Sequence, residues 1–158
     1  MHNFEVHKQH TRLQSLIKQA ADACNNDAEA LSHWAKYLCI VTAGFLENSI
    51  KEIYGDFVLA AAPEPVAKFA KSKLLKINNP KASTFLETAA CFKQDWRDDL
   101  MAYLQEDGRG DAIDSIMNFR HQIAHGKENN VNVTLVTIKE YIKKSVEVID
   151  YIEKQCRK

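Results

Sequence analysis

Apolar residues recur along most of the chain at the i, i+3, i+4, i+7 spacing of helices that bury one face. The first such segment runs from about Asn3 to Cys24. The last begins either at Thr134 or at the capping box Thr137-Ile-Lys-Glu140. Its apolar positions are Leu135, Ile138, Ile142, Val146, Ile149 and Ile152. Both segments are predicted to be amphipathic helices.

A second, longer helix is predicted after the polar run Asn25-Asn26-Asp27, in which Asp27 is a suitable N-cap. We expect it to reach about Tyr54 and to end at Gly55. From Tyr37 to Leu46 it is apolar on nearly all sides. A helix that is apolar all round is usually enclosed by others, so this one is predicted to be central.

Shorter helices are predicted between the long ones. Ala61-Ala-Pro-Glu-Pro65 is a boundary, with Pro65 in the first turn of the next helix. Thr84-Phe-Leu-Glu87 reads as a capping box, Gly108-Arg-Gly110 as a loop, and Asp111 as the cap of the helix that follows. No segment alternates with period two for long enough to predict a sheet. The pattern predicts one all-α domain over residues 1–158, a bundle with two long helices and several short ones.

The composition narrows the classes of partner. The chain is 46% hydrophobic, 27% charged and has a net charge of zero, which argues against nonspecific coating of nucleic acid or membrane. One local exception is a run of lysines with no acid among them: Lys68, Lys71, Lys73, Lys76 and Lys81. The first four are candidates for weak contact with an RNA backbone. A solvated helix face is the more common use of such a run.

The cysteines and the apolar runs bear on the compartment. Cys24, Cys39, Cys91 and Cys156 are far apart and lie in apolar helical contexts, where a free thiol acts as a small hydrophobe. The N-terminal residues lack the apolar region of a signal peptide, and the run from Tyr37 to Leu46 is too short to span a bilayer. We therefore expect a cytoplasmic protein that does not enter a membrane.

Chemically capable residues are concentrated in the stretch from Ile116 to Gly126. At ~100° per residue, one stripe of this helix contains Ile113, Ile116, Met117, Arg120, Ile123 and Ala124. Arg120 therefore lies where a core residue is expected, and it needs an anionic partner because burying an unpaired charge costs several kcal/mol. Glu47, on the same helix face as Ile40, is the candidate partner. The alternative is a surface pair of Glu47 with Lys51.

His121 and His125 are spaced to lie one above the other, and Gly126 can end their helix. Arginine and histidine suffice for RNA cleavage without a metal, because histidine moves protons near neutral pH and arginine holds phosphoryl oxygens. Residues five apart lie ~140° apart on a helix, so Arg120 and His125 meet only if the helix unwinds or a symmetry mate completes the site.

A zinc-protease pattern is absent, since Gln122 follows His121, so neither metal nor another cofactor is predicted. Capping of the helix C-terminus is a further role open to both histidines.

Arg120-His-Gln-Ile-Ala-His125-Gly126 resembles the signature of the HEPN superfamily, which consists of all-α domains marked by an Arg, a polar residue, a variable spacer and a His. The stretch from His33 through Gly44-Phe-Leu-Glu47 resembles the RiboL-PSP subgroup of HEPN domains. The resemblance implies a dimeric, metal-independent endoribonuclease, often a toxin or a phage-defence effector. It implies that Arg120 stabilises the phosphate, His125 acts as acid or base, His121 orients them, and Glu47 holds Arg120.

Two other functions stay open from the sequence. The same Arg–His cleft could bind RNA, nucleotide or a partner protein without turnover. The chain could instead be a helical adaptor in which Arg120 and Glu47 form a buried pair, and then Arg120→Ala would destabilise the fold by several kcal/mol. For the ribonuclease, the expected partners are RNA, a second copy of the chain, and an antitoxin or neighbouring defence protein.

Overall fold

A computed structural model describes residues 1–24 and 27–157. Within them the chain forms seven α-helices and two short 3-10 turns, with no strand, which confirms the all-α prediction. The helices are α1 Phe4–Ala23, α2 Ala28–Ala61, α3 Glu64–Leu74, α4 Ala82–Phe92, α5 Gln94–Gln105, α6 Arg109–Ala124 and α7 Leu135–Cys156. The 3-10 turns are Glu106–Gly108 and Glu128–Asn130. The predicted break at Asn25-Asn26 lies outside the described residues.

Helix α2 is the central element, as predicted, since α1, α3, α6 and α7 all pack against it. It is the longest helix with 34 residues, followed by α7 with 22 and α1 with 20. The prediction that it ends at Gly55 is wrong, because α2 continues to Ala61. Gly55 is buried, and the side chain of Lys71 on α3 lies 4.0 Å from the position that a Cβ would occupy, which is an ordinary van der Waals distance. The packing of α3 therefore does not require a glycine at this position.

The helix starts follow local caps in some places and tertiary contacts in others. Asp27 caps α2 through its side chain, as predicted, and Thr134, one of the two predicted alternatives, caps α7 in the same way. The predicted caps at Thr84 and Asp111 are wrong, since both residues lie within helices. Helix α4 begins at Ala82, whose backbone N–H donates to the Asp114 carboxylate of α6 over 2.7 Å. A neighbouring helix thus supplies the acceptor that a local cap would have provided.

Arg109 lies in the first turn of α6, and not in the predicted loop Gly108-Arg-Gly110. It is only 9% exposed, and its guanidinium contacts the Glu147 carboxylate of α7 at 3.1 Å. It also donates to the backbone carbonyls of Tyr103 and Glu106, and it lies 4.1 Å from the centre of the Tyr103 ring. These contacts attach the N-terminus of α6 to α5 and α7.

The first and last helices are joined at one end of the bundle. Glu153 of α7 is buried, and its carboxylate accepts the backbone N–H groups of His2 and Asn3. Asn3 in turn caps α1 by accepting the N–H of Val6 over 2.9 Å. The start of α1 is therefore tied to the end of α7.

Helix α6 packs against both α2 and α7. The Glu128–Asn130 turn connects α6 to α7, and the residues that enter α7 line a cavity together with Ala28 and Leu31 at the start of α2. The start of α7 therefore lies beside the start of α2.

In the described part of the chain, no helix is both long and apolar enough to cross a membrane.

Candidate functional site

The site begins where α6 ends. Gly126 has a positive φ of 69°, which glycine adopts without steric cost. Its N–H donates to the Ile123 carbonyl over 3.2 Å, and the N–H of Lys127 donates to the Gln122 carbonyl over 2.9 Å. These two bonds form a Schellman motif, so the prediction that Gly126 ends the helix is confirmed. His125 is the last residue before this turn.

His121 and His125 form an exposed pair on the last turn of α6. Their ring centres are 4.3 Å apart and the rings are inclined by 57°. The prediction that the two residues lie one above the other on the helix is therefore confirmed. Both side chains are exposed to solvent. Among the described residues, no group of three His, Cys, Asp or Glu side chains is placed to hold a metal ion.

Arg120 lies at the edge of the core, not within it. Ile113, Ile116 and Met117 are buried as predicted, but Arg120 is half-buried. The stripe leaves the core at this point because the last turn of α6 extends toward solvent. Among the hydrogen bonds and ion pairs of residues 1–24 and 27–157, none involves the side chains of Arg120, His121 or His125. The described fold therefore does not use their polar groups.

Glu47 is engaged by other residues. One carboxylate oxygen is 2.8 Å from the Lys51 ammonium, and the other accepts the backbone N–H of Asn79 at 2.8 Å. The alternative prediction of a Glu47–Lys51 pair is therefore the observed geometry, and a direct Glu47–Arg120 ion pair is not found in the described residues. Ile40 is 43% exposed, so the helix face that it shares with Glu47 is not a buried one.

Arg120 still influences Glu47 electrostatically. Partial burial raises the pKa of Glu47, but the hydrogen bonds from Lys51 and Asn79 and the charges of Lys51 and Arg120 outweigh burial and leave this pKa below its usual value. Glu47 thus links the loop after α3 to the neighbourhood of Arg120. Its observed contacts position that loop.

Replacing Glu47 by glutamine should lower the free energy of unfolding by about 1 kcal/mol near neutral pH, since a charge-assisted bond to Asn79 is weakened. A carboxyl group whose pKa is lowered by folding stabilises the fold above its unfolded-state pKa, near 4.5, and loses that contribution as the pH falls through the folded-state pKa. The difference between Glu47→Gln and wild type should therefore vanish in acid. Urea unfolding at neutral and acidic pH measures it.

The matched control is Glu64→Gln, which breaks the exposed i, i+4 pair of Glu64 with Lys68 but no bond to backbone. Exposed pairs contribute little, so this change should cost less than about 0.5 kcal/mol at either pH. Equal effects of the two substitutions would contradict the role given to Asn79.

The four lysines predicted to contact RNA do not share one face. Lys68 is paired with Glu64 at 2.7 Å, and both side chains are 75% exposed. Lys71 is half-buried over Gly55, Lys73 lies over the ring of Phe69, and Lys76 follows the helix in an exposed turn. Lys73 and Lys76 are therefore the most available of the four cations.

Several residues that shape this region were not found from the sequence. Asp114 and Asn79 act through backbone bonds to distant helices, and nothing in their local sequence signals this. Phe69 is 64% exposed on α3. A helical wheel could have identified it, because Ala67 and Leu74 are the buried positions on the opposite side.

The fold and the Arg–His pair at the end of its penultimate helix define a HEPN-type domain. The RiboL-PSP-HEPN family model matches residues 8–158, essentially the whole chain, and the chain belongs to this family. HEPN-type domains include ribonucleases and nucleotide-binding domains. No curated protein and no solved structure matches the chain.

Proposed function

We propose that this protein is a metal-independent endoribonuclease. The observation that carries the proposal is the grouping of Arg120, His121 and His125 at one helix end, where no described hydrogen bond or ion pair occupies their side chains. A cation beside two histidines is suited to a phosphodiester, because arginine matches the phosphoryl oxygens and histidine exchanges protons near neutral pH. Such groups, left free by the fold, are available to a substrate.

In the proposed reaction, the 2′-oxygen of a ribose attacks the adjacent phosphorus while a histidine removes the hydroxyl proton. The bond from phosphorus to the 5′-oxygen breaks, and a second proton neutralises the leaving oxygen. Arg120 stabilises the negative charge that builds on the phosphoryl oxygens. The products are a 2′,3′-cyclic phosphate and a 5′-hydroxyl. His125 transfers protons, and His121 orients His125 by ring contact.

The proposal includes a homodimer, because α6 stays helical to Ala124 and residues five apart lie ~140° apart on a helix, so Arg120 and His125 of one protomer are not expected to meet. An exposed apolar surface on α2 supports this part of the proposal. Tyr37 is 41% and Ile40 is 43% exposed, and Gly44 follows one turn later with nothing within 4 Å of its missing Cβ. A mid-helix glycine costs about 0.5–1 kcal/mol relative to alanine, and no contact among the described residues explains this glycine. Close approach of a second copy of the chain would explain the glycine.

Replacing Gly44 by alanine should therefore have opposite effects on folding and association. The monomer should gain about 0.5–1 kcal/mol of stability from higher helix propensity. The dissociation constant of the dimer should rise, because the added methyl group enters the interface. Urea unfolding of dilute protein and sedimentation equilibrium measure the two effects. Ser83→Ala, at an exposed site on α4, is the control that raises helix propensity alone.

The direct test is incubation of the nuclease-free dimer with RNA in EDTA, followed by analysis of the ends. Cleavage in EDTA to 2′,3′-cyclic phosphates supports the nuclease. Intact RNA with folded, dimeric protein overturns it, and RNA that is bound but not cut favours the noncatalytic alternative, in which the site holds RNA, nucleotide or a partner protein.

The cellular role is part of the same proposal and rests on the family. A HEPN ribonuclease would act as a toxin or phage-defence effector in the cytoplasm, restrained by an antitoxin or a neighbouring defence protein. Growth arrest of a bacterial host on induction, accompanied by RNA cleavage, tests it.

A further inference from the structure

Helix α3 presents an aromatic and cationic surface to solvent. Its buried residues Ala67 and Leu74 face α2, and Phe69 lies on the other side with 64% of its surface exposed. The Lys73 ammonium lies 5.1 Å from the centre of the Phe69 ring. Single exposed apolar residues are common and need no explanation. An exposed ring paired with a mobile cation offers two kinds of contact at once.

The charge of this region is one-sided. Between Pro65 and Lys81 the sequence has five lysines and no acidic residue, in a chain whose net charge is zero. The nearest acid along the helix, Glu64, is already paired with Lys68. The surface is therefore complementary to a polyanion.

The loop that follows α3 leads from this surface toward Arg120. It is held at two points, where the N–H of Asn79 donates to Glu47 and the N–H of Ala82 donates to Asp114. Glu47 lies within electrostatic range of Arg120, and Asp114 is on the same helix as Arg120. Lys76 and Lys81 are exposed on this loop. The loop therefore passes the neighbourhood of Arg120 at Asn79, with an exposed lysine on either side of that point.

We propose that Phe69, Lys73 and Lys76 form a subsite that binds single-stranded RNA outside the cleaved bond, with a base stacked on Phe69 and phosphates on the two lysines. Single-stranded nucleic acids are held by this combination, because every base has a face that stacks on an aromatic ring and lysines follow the backbone. Lys73 can leave the ring for a phosphate, because its stem is flexible. The subsite rests on the proposed nuclease for its purpose, but its binding can be measured separately.

The test uses the full chain carrying His125→Ala, so that RNA is bound without being cut, and a fluorescein-labelled oligouridylate of about 12 nucleotides, within the site sizes known for single-strand binders. Fluorescence anisotropy gives the Kd. Adding Phe69→Ala should weaken binding about tenfold, within the range that loss of one stacked base produces. Phe69→Tyr, which keeps the ring, should restore it. Lys73→Gln should lower the salt dependence of log Kd by about 0.7 for one lost phosphate contact.

The matched control is Phe4→Ala, which removes a phenylalanine that is 74% exposed on α1. This substitution should leave the Kd of the oligouridylate unchanged. Double-stranded RNA added as a competitor should also leave that Kd unchanged, because its paired bases cannot stack on the ring of Phe69. Since Phe69 is exposed, none of these variants should change the melting temperature appreciably.

The outcomes separate this subsite from the nuclease. Phe69-dependent binding together with a wild type that leaves RNA intact keeps the subsite and overturns the nuclease. Cleavage by wild type with no effect of Phe69→Ala on the Kd overturns the subsite and keeps the nuclease. Absence of any RNA binding overturns the subsite, as does equal loss of binding in Phe4→Ala.

Discussion

Substitution of His125 by alanine is expected to lower the rate of RNA cleavage by about 100- to 10,000-fold, the usual contribution of a general acid or base. Arg120→Ala is expected to lower it by about 100- to 1,000-fold, as removal of one charge-stabilising donor does. Neither change should alter the free energy of unfolding by more than about 0.5 kcal/mol. The reason is that neither side chain has a described hydrogen bond or ion pair in the folded chain. Single-turnover cleavage and urea unfolding measure the two quantities.

The controls match each substitution in type and exposure. His7→Ala removes an exposed histidine from α1, and Arg97→Ala removes a half-exposed arginine from α5. Both should cleave RNA like wild type. Loss of several kcal/mol of stability in Arg120→Ala would show that Arg120 supports the fold and would contradict its role as a residue left free for substrate. Full activity of either site variant would exclude its residue from the chemistry.

Replacing Arg109 by alanine is expected to lower the free energy of unfolding by about 2–3 kcal/mol, because this charged side chain is nearly buried among its partners. The substitution leaves the Glu147 carboxylate without its guanidinium partner and removes the donor to two backbone carbonyls. It also removes the contact with the Tyr103 ring. Urea unfolding measures the loss. Cleavage per folded molecule should persist at low temperature, because Arg109 is at the other end of α6 from His125.

Arg97→Ala again provides the comparison, since it breaks the exposed pair of Arg97 with Asp98 at 2.9 Å. Such pairs contribute little, so the cost should be below about 0.5 kcal/mol. If Arg109→Ala costs no more than Arg97→Ala, the Arg109 contacts do not hold α6 in place.

Arg120 and Arg109 also show how much of the structure could be predicted from the sequence. Periodicity located the long helices, and Asp27 and Thr134 were recognised as caps because a capping side chain and the N–H it accepts are close in sequence. The stripe predicted on α6 was correct through Met117 and in part at Ile123, which packs against the core, whereas Arg120 is half-buried and Ala124 is exposed. Periodicity gives the side of a helix that faces the core, but not the point at which the helix leaves it.

Arg109 was missed for the opposite reason. Two flanking glycines suggested a loop, and nothing local indicates that Glu147 lies opposite. The start of α4 was misplaced in the same way, because its acceptor is Asp114 on another helix. In each case the local sequence does not show which helix packs against the residue.

The bond between Glu153 and the start of α1 has a consequence during synthesis. It joins residues 150 positions apart, so it cannot form on a growing chain until α7 has left the ribosome. Closing so long a loop costs roughly 4 kcal/mol by the usual logarithmic scaling, and the docking of α7 on α2 has to offset it. A nascent chain that ends before α7 therefore lacks the acceptor for the start of α1 and one of the four helices that cover α2. We expect the domain to acquire its native structure only after α7 has been synthesised.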